Sequence, residues 1–116
     1  MTSKESAVLH RTSAARISLS IAERIQELRL EILVFSAAYH VLDEEIIDDS
    51  EWDKRAKELA RLQHQYPEVA AKVVYADAFA DFEGDTAAGL PYDDEATVAK
   101  AKYLLIGRRK KHGTHS

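Results

Sequence analysis

The side chains best suited to chemistry lie in one stretch, AYHVLDEEIIDDSEWD at 38–53, and they are Tyr39, His40, Asp49, Trp52 and Asp53. Two aromatic rings, one imidazole and two carboxylates can together hold a flat cationic ring that carries sugar hydroxyls and a phosphate. An aromatic face attracts a delocalised cation by about 0.5–2 kcal/mol, and Trp is the strongest ring for this. Carboxylates accept hydrogen bonds from sugar hydroxyls and add favourable charge. On a helix, Asp49, Trp52 and Asp53 fall at i, i+3 and i+4, on one face within a turn. The N-terminus of that helix offers backbone N–H groups to a phosphate, and His40 adds a donor. Four of these residues also have a structural use. Tyr39 falls on an apolar seam, Trp52 heads an inner helix face, Asp49 is a natural N-cap, and His40 suits a helix C-terminus.

The elements that must position them follow from periodicity. Ile21, Ile25, Leu28, Ile32, Phe35, Tyr39 and Leu42 recur at alternating spacings of four and three, which predicts a long amphipathic helix from Ser13 or Ser18. Its seam can pack on another helix or on a second copy of itself. Asp43-Glu44-Glu45 breaks the pattern, Ile46 and Ile47 tuck beneath the corner, and Asp48, Asp49 or Ser50 caps a second helix. That helix runs to about Gln65, with Trp52, Ala56, Leu59 and Leu62 inward and Lys54, Arg55, Lys57 and Arg61 mostly outward. Tyr66-Pro67 ends it. Pro67 then opens a third helix, 67–82, packed through Val69, Val73, Ala76 and Phe79 or Ala80. Gly84, Gly89 and Pro91 make 83–92 a loop. A fourth helix begins near Asp93 or Asp94, turns Val98, Ala101, Leu104 and Leu105 inward, and stops at Gly107. The expected fold is a small all-α domain of four helices, 13–107, between a flexible arm, 1–12, and a basic tail, 108–116.

Composition narrows the function classes. With 116 residues the chain has room for one modest core. Only 4 Gly and 2 Pro favour helices over many short strands. The lack of Cys leaves no disulfide and no thiolate metal site, so a cytoplasmic location is expected. No apolar run approaches the roughly 20 residues of a membrane span. A net charge of −4 argues against a protein built to grip phosphate backbones, so nucleic acid is expected only through the tail Arg108-Arg109-Lys110-Lys111-His112. Two acidic clusters have the chemistry to hold a cation: Asp81, Glu83 and Asp85 with Asp93, Asp94 and Glu95, whose spacing matches no calcium loop, and Glu44, Glu45, Asp48 and Asp49, which helix capping explains adequately.

Over 27–70, ELRLEILVFSAAYHVLDEEIIDDSEWDKRAKELARLQHQYPEVA, the chain resembles the N-terminal Ia domain of bacterial NAD-dependent DNA ligases. Tyr39-His40, Asp43, Ile47-Asp48-Asp49-Ser50-Glu51-Trp52-Asp53, Glu58-Leu59, Leu62 and Tyr66-Pro67-Glu68 follow that family's pattern in order and without an insertion. The family's usual Tyr is Trp52 here, and the Pro common in its connector is Glu45. The resemblance implies recognition of nicotinamide mononucleotide or NAD. By position, Tyr39 and Trp52 would sandwich the nicotinamide ring, while His40, Asp49 and Asp53 would meet ribose and phosphate. No Lys-x-Asp-Gly nucleophile, barrel, zinc cysteines or helix-hairpin-helix repeat stands in these 116 residues, and residues 71–116 do not resemble the peptide that leads into the ligase core. The resemblance therefore suggests a stand-alone, phage-type module linked to DNA replication, repair or NAD metabolism, with no catalytic residue of its own. Participation in adenylation in trans stays open, as does a non-catalytic interaction or regulatory protein acting through a protein partner or as a homodimer.

Overall fold

A computed structural model describes the backbone of residues 2–113 and the side chains of residues 19–107. The side chains of the expected arm, 1–12, and of the basic tail, 108–116, lie outside the described residues. Four helices make up the secondary structure: α1 (Thr2–His40), α2 (Asp49–Gln65), α3 (Pro67–Ala70) and α4 (Glu95–Gly113). No strand occurs among the described residues, and no helix there is long and apolar enough to cross a membrane.

α1 starts well before Ser13, because no Gly or Pro interrupts the chain from Thr2 to His40. It is the element on which everything else packs. The expected seam is real: Ile25, Leu28 and Ile32 are fully buried against residues of α2 and of the segment that follows it. A second face is buried as well, where Val34, Ala37 and Ala38 meet Ala101 and Leu105 of α4. A single-stripe reading of α1 therefore captured one of its two buried faces. At its end the amides of Val41 and Leu42 fold back onto the Ala37 carbonyl, and the Glu44 amide onto that of Ala38. Asp43, at φ 55°, makes the left-handed step that turns the chain away, a conformation Asp tolerates better than most residues.

α2 begins and ends where the sequence places it, and its inner face is the expected one. Ala56 and Leu59 are buried, with Trp52 and Leu62 packed beside them. Pro67 does open α3, but that helix stops after a single turn, and the expected helix over 67–82 is not formed. Instead the chain from Lys72 to Phe82 makes successive tight turns, with Lys72 N–H to Val69 O, Val73 N–H to Ala70 O and Phe82 N–H to Phe79 O. The cause is the guanidinium of Arg29. It donates through Nη2 to the Ala70 carbonyl and through Nη1 to those of Val73 and Val74, each at 3.1 Å. These carbonyls are turned toward a cation on α1 instead of along a helix axis, and Tyr75 takes φ 67°.

Two expectations for the last helix also fail. α4 passes through Gly107 to Gly113, since one interior Gly costs about 1 kcal/mol, too little to end a helix by itself. Leu104 is 40 % exposed, not inward, whereas Ala101 and Leu105 are buried against α1. The 83–92 loop stands as expected and is pinned at Gly84. A Cβ there would sit 2.8 Å from the Ala56 carbonyl oxygen, and the backbone takes φ +83°, so only glycine lets the loop lie against α2. Phe82, Ala87 and Leu90 are buried along the loop.

Candidate functional site

The end of α1, the connector and the first turn of α2 enclose a pocket of about 190 Å³. Tyr39, His40, Asp49 and Trp52 all line it, so the structure brings together four of the five expected residues. Asp53 is exposed on α2 and lies outside the pocket. An apolar cavity of about 150 Å³ accepts benzene, so this volume suits one six-membered ring with its substituents leaving through the mouth. It is too small for a whole dinucleotide.

The local sequence explains each position. Asp48, not Asp49, caps α2: its carboxylate accepts from the Glu51 N–H at 2.8 Å and from the Ser50 hydroxyl at 2.9 Å. These hydrogen bonds, the Glu51 amide first, hold the Asp48 carboxyl below its ordinary range. With capping done one residue earlier, Asp49 is available to the pocket. The cap has a second consequence, since a phosphate at this helix terminus would compete with the Asp48 carboxylate for the Glu51 amide.

Trp52 is half-buried, and its indole N–H reaches the Ser36 hydroxyl at 3.3 Å. Ser36 is 2 % exposed and forms part of the pocket wall. That bond fixes the indole, as a buried Trp N–H requires. Tyr39 is 57 % exposed, which removes the reading of it as a packed core tyrosine. Its ring meets His40 edge-on, with centroids 5.0 Å apart and planes at 82°. The other face of the imidazole stacks on Tyr92, at 5.0 Å and 28°.

The pocket is acidic and apolar. Its lining includes Glu45 and Asp49 but no Lys or Arg, and Ile46, Ile47 and Phe35 supply apolar surface. The Arg55 guanidinium lies 5.6 Å over the Phe35 ring of the lining and is held by Glu31 and Glu51, both at 2.9 Å. Those carboxylates raise the Arg55 pKa, and Arg55 in turn lowers that of Glu51. The Arg55 cation is thus matched by carboxylates outside the pocket lining. A flat cation fits such a site better than an anion does.

Three contributors escaped the sequence reading: Ser36, Ala87 and Tyr92. Trp52 N–H needs an acceptor, so Ser36 one helical seam away was the discoverable one. Ala87 and Tyr92 come from the 83–92 loop, whose return to this corner has no local signal. Neither acidic cluster considered from the sequence is gathered into a metal site: among the described residues no group of three or more His, Asp and Glu is placed to hold an ion.

Comparison with known proteins agrees with this corner. Residues 18–72 match the family described as DNA ligase-like, N-terminal NAD+-binding domain. Curated relatives include the DNA ligase of Petrotoga mobilis, 43% identical over 46% of this chain and 8% of the relative. Another is the DNA ligase of Azobacteroides pseudotrichonymphae, 42% identical over 43% of this chain and 8% of the relative. The DNA ligase of Stutzerimonas stutzeri is 46% identical over 41% of this chain and 6% of the relative. The chain thus spans less than a tenth of the length of the curated relatives it matches. No solved structure matches it.

Proposed function

We propose that this chain, whose residues 18–72 are of the DNA ligase-like, N-terminal NAD+-binding type, is a recognition module for the nicotinamide half of NAD or for nicotinamide mononucleotide. The observation that supports it is the pocket itself, in which Tyr39, His40, Asp49 and Trp52 surround a volume sized for one aromatic ring. Nicotinamide joined to ribose is a pyridinium, a flat delocalised cation. Trp52, held by Ser36, and Tyr39 at the rim offer aromatic faces to it. Asp49 balances its charge and accepts from a ribose hydroxyl. His40 would serve as a donor to the phosphate, since the Asp48 cap already takes the Glu51 amide at the start of α2. Asp53, outside the pocket, would act only on the ribose–phosphate portion that leaves the mouth. None of these groups is an activated nucleophile, so the role is binding, in the setting of DNA replication, repair or NAD metabolism.

A shallow single-ring site gives weak affinity, on the order of 10⁻⁴–10⁻³ M, or about 4–5.5 kcal/mol. Ligand-observed NMR or calorimetry with nicotinamide mononucleotide is the direct test. Absence of binding at millimolar ligand, or binding undiminished by Tyr39→Ala with Trp52→Ala, overturns the proposal. Nicotinamide riboside should bind within a few-fold of the mononucleotide, since the lining offers no Lys or Arg to a phosphate.

A second reading has its own observation. On α4, Tyr103 is 76 % and Ile106 60 % exposed, and with Val41 and Leu104 they leave apolar surface beside a groove lined by Leu42, Lys102 and Leu105. A protein-docking role would use that face. It would not use the middle of the α1 seam, which the chain covers itself.

A further inference from the structure

The family match ends at residue 72, yet the pocket does not. Ala87, 6 % exposed, forms part of its wall, and Tyr92 is the ring on which His40 stacks. Tyr92 is packed against both apolar clusters of the molecule, so its own position is set from two sides. The segment that carries both residues is fastened to α2 at Gly84, where no side chain would fit. It is fastened again by buried Phe82 and Leu90.

From this arrangement we infer that the site is built from two segments. Within it Tyr92 is a positioning residue that sets the plane of the His40 imidazole, and Ala87 limits how deep a ligand ring can enter. The inference rests on the reading of the pocket as a nicotinamide-nucleotide site. His40 is the last residue of α1 and is exposed, so no helical neighbour on its C-terminal side holds the ring. Tyr39 touches it only edge-on. The stacked face of Tyr92 is what removes rotation about the outer side-chain bond and points the ring nitrogens in a fixed direction. An ordered donor binds without a further entropic cost at the moment of association. At Ala87 a larger side chain would project into a space just big enough for one ring.

The test uses the whole chain and two readouts. In the free protein, the His40 ring protons should carry a ring-current shift from Tyr92, lost in Tyr92→Ala and kept in Tyr92→Phe. In titrations with nicotinamide mononucleotide, Tyr92→Ala should weaken binding about three- to tenfold, in line with the worth of one aromatic pair. Tyr92→Phe should restore it. The same Tyr92→Ala change placed in a His40→Ala background should have no further effect. Ala87→Leu should abolish saturable binding while leaving the His40 shift in place. Equal weakening by Tyr92→Ala with or without His40, or a His40 shift indifferent to Tyr92, overturns the inference. Lack of binding by the unaltered chain overturns the nicotinamide reading and the depth role of Ala87, while the ring shift still decides whether Tyr92 positions His40.

Discussion

Two places on α1, three turns apart, treat polar groups in opposite ways. At the middle, Arg29 is 1 % exposed, and its guanidinium donates to Gln63 Oε1 as well as to the carbonyls of Ala70, Val73 and Val74. Gln63 passes the connection on by donating to the Phe79 carbonyl at 3.0 Å. Burial lowers the Arg29 pKa, and the Phe79 ring lies 5.7 Å beneath the guanidinium. At the end of the helix, Tyr39 and His40 are exposed, and no side-chain hydrogen bond or ion pair among the described residues engages Asp49. The hydrogen-bonding capacity of the first region is consumed by the fold, and that of the second is left for something else. A group whose partners are all internal supports structure, whereas exposed aromatics and an unengaged carboxylate around a pocket mark where binding can occur.

The difference can be broken most forcefully at Arg29. Arg29→Met keeps much of the volume but leaves the buried Val73 carbonyl and Gln63 Oε1 without their donor and takes one of two donors from the buried Ala70 carbonyl, each unpaired group costing about 1–3 kcal/mol. Urea unfolding should show a loss of at least about 2 kcal/mol, and a loss below about 1 kcal/mol would mean the region is not the structural one. Gly84→Ala comes next. A positive φ and a Cβ 2.8 Å from the Ala56 oxygen should together cost about 1–3 kcal/mol in thermal unfolding. Gly89→Ala is the control. Its φ is +85° but nothing lies within 4 Å of the added carbon, so only the backbone part, about 1 kcal/mol, should appear.

Much of the second region was legible in the sequence, and much of the first was not. The corner is local: Asp43, the Asp48 cap and the i, i+3 placement of Asp49 and Trp52 all arise within a dozen residues. Capping and periodicity report such features directly. The choice of Asp48 over Asp49 as the cap was left open by the sequence and is decided by geometry. Arg29 is the opposite case. It was given no role from the sequence, and its role depends on carbonyls more than forty residues away. The failed helix over 67–82 is the same omission seen from the other side, because those carbonyls left the helical pattern to reach Arg29. Tyr92 and Ala87 were hidden for a like reason, since a loop's destination is set by packing and not by its own residues.

Acid should separate the regions more gently. Arg24 donates to both oxygens of Glu58, at 2.8 and 2.7 Å, and this bond holds the Glu58 pKa below its ordinary 4.5. A depressed folded-state pKa favours the ionised form in the fold. Its stabilisation is therefore complete above pH 4.5 and lost as pH falls through the lower, folded value. Both side chains are about a third exposed, so solvent screening limits the pair to about 1 kcal/mol or less. Glu58→Gln should remove that part of the acid sensitivity in unfolding measured from pH 7 downward. The Arg29 contacts, made to carbonyls that do not titrate there, should contribute no slope. A steeper acid dependence in Arg29→Met than in the unaltered chain would contradict this assignment.

The smallest expected change in stability is also the sharpest division between the two regions. Tyr39 is more than half exposed, and its ring meets that of His40, itself at the surface. Tyr39→Ala should alter unfolding by no more than about 0.5 kcal/mol, the usual range for a surface substitution. If the ring meets a pyridinium, the same change removes a cation–π contact of about 0.5–2 kcal/mol, which titration would read as roughly a two- to thirtyfold loss of affinity. Stability and binding would then be carried by different residues of one helix. A stability loss as large as that of Gly84→Ala would place Tyr39 with Arg29 among the groups the fold consumes, and the corner would lose its claim to be a binding surface.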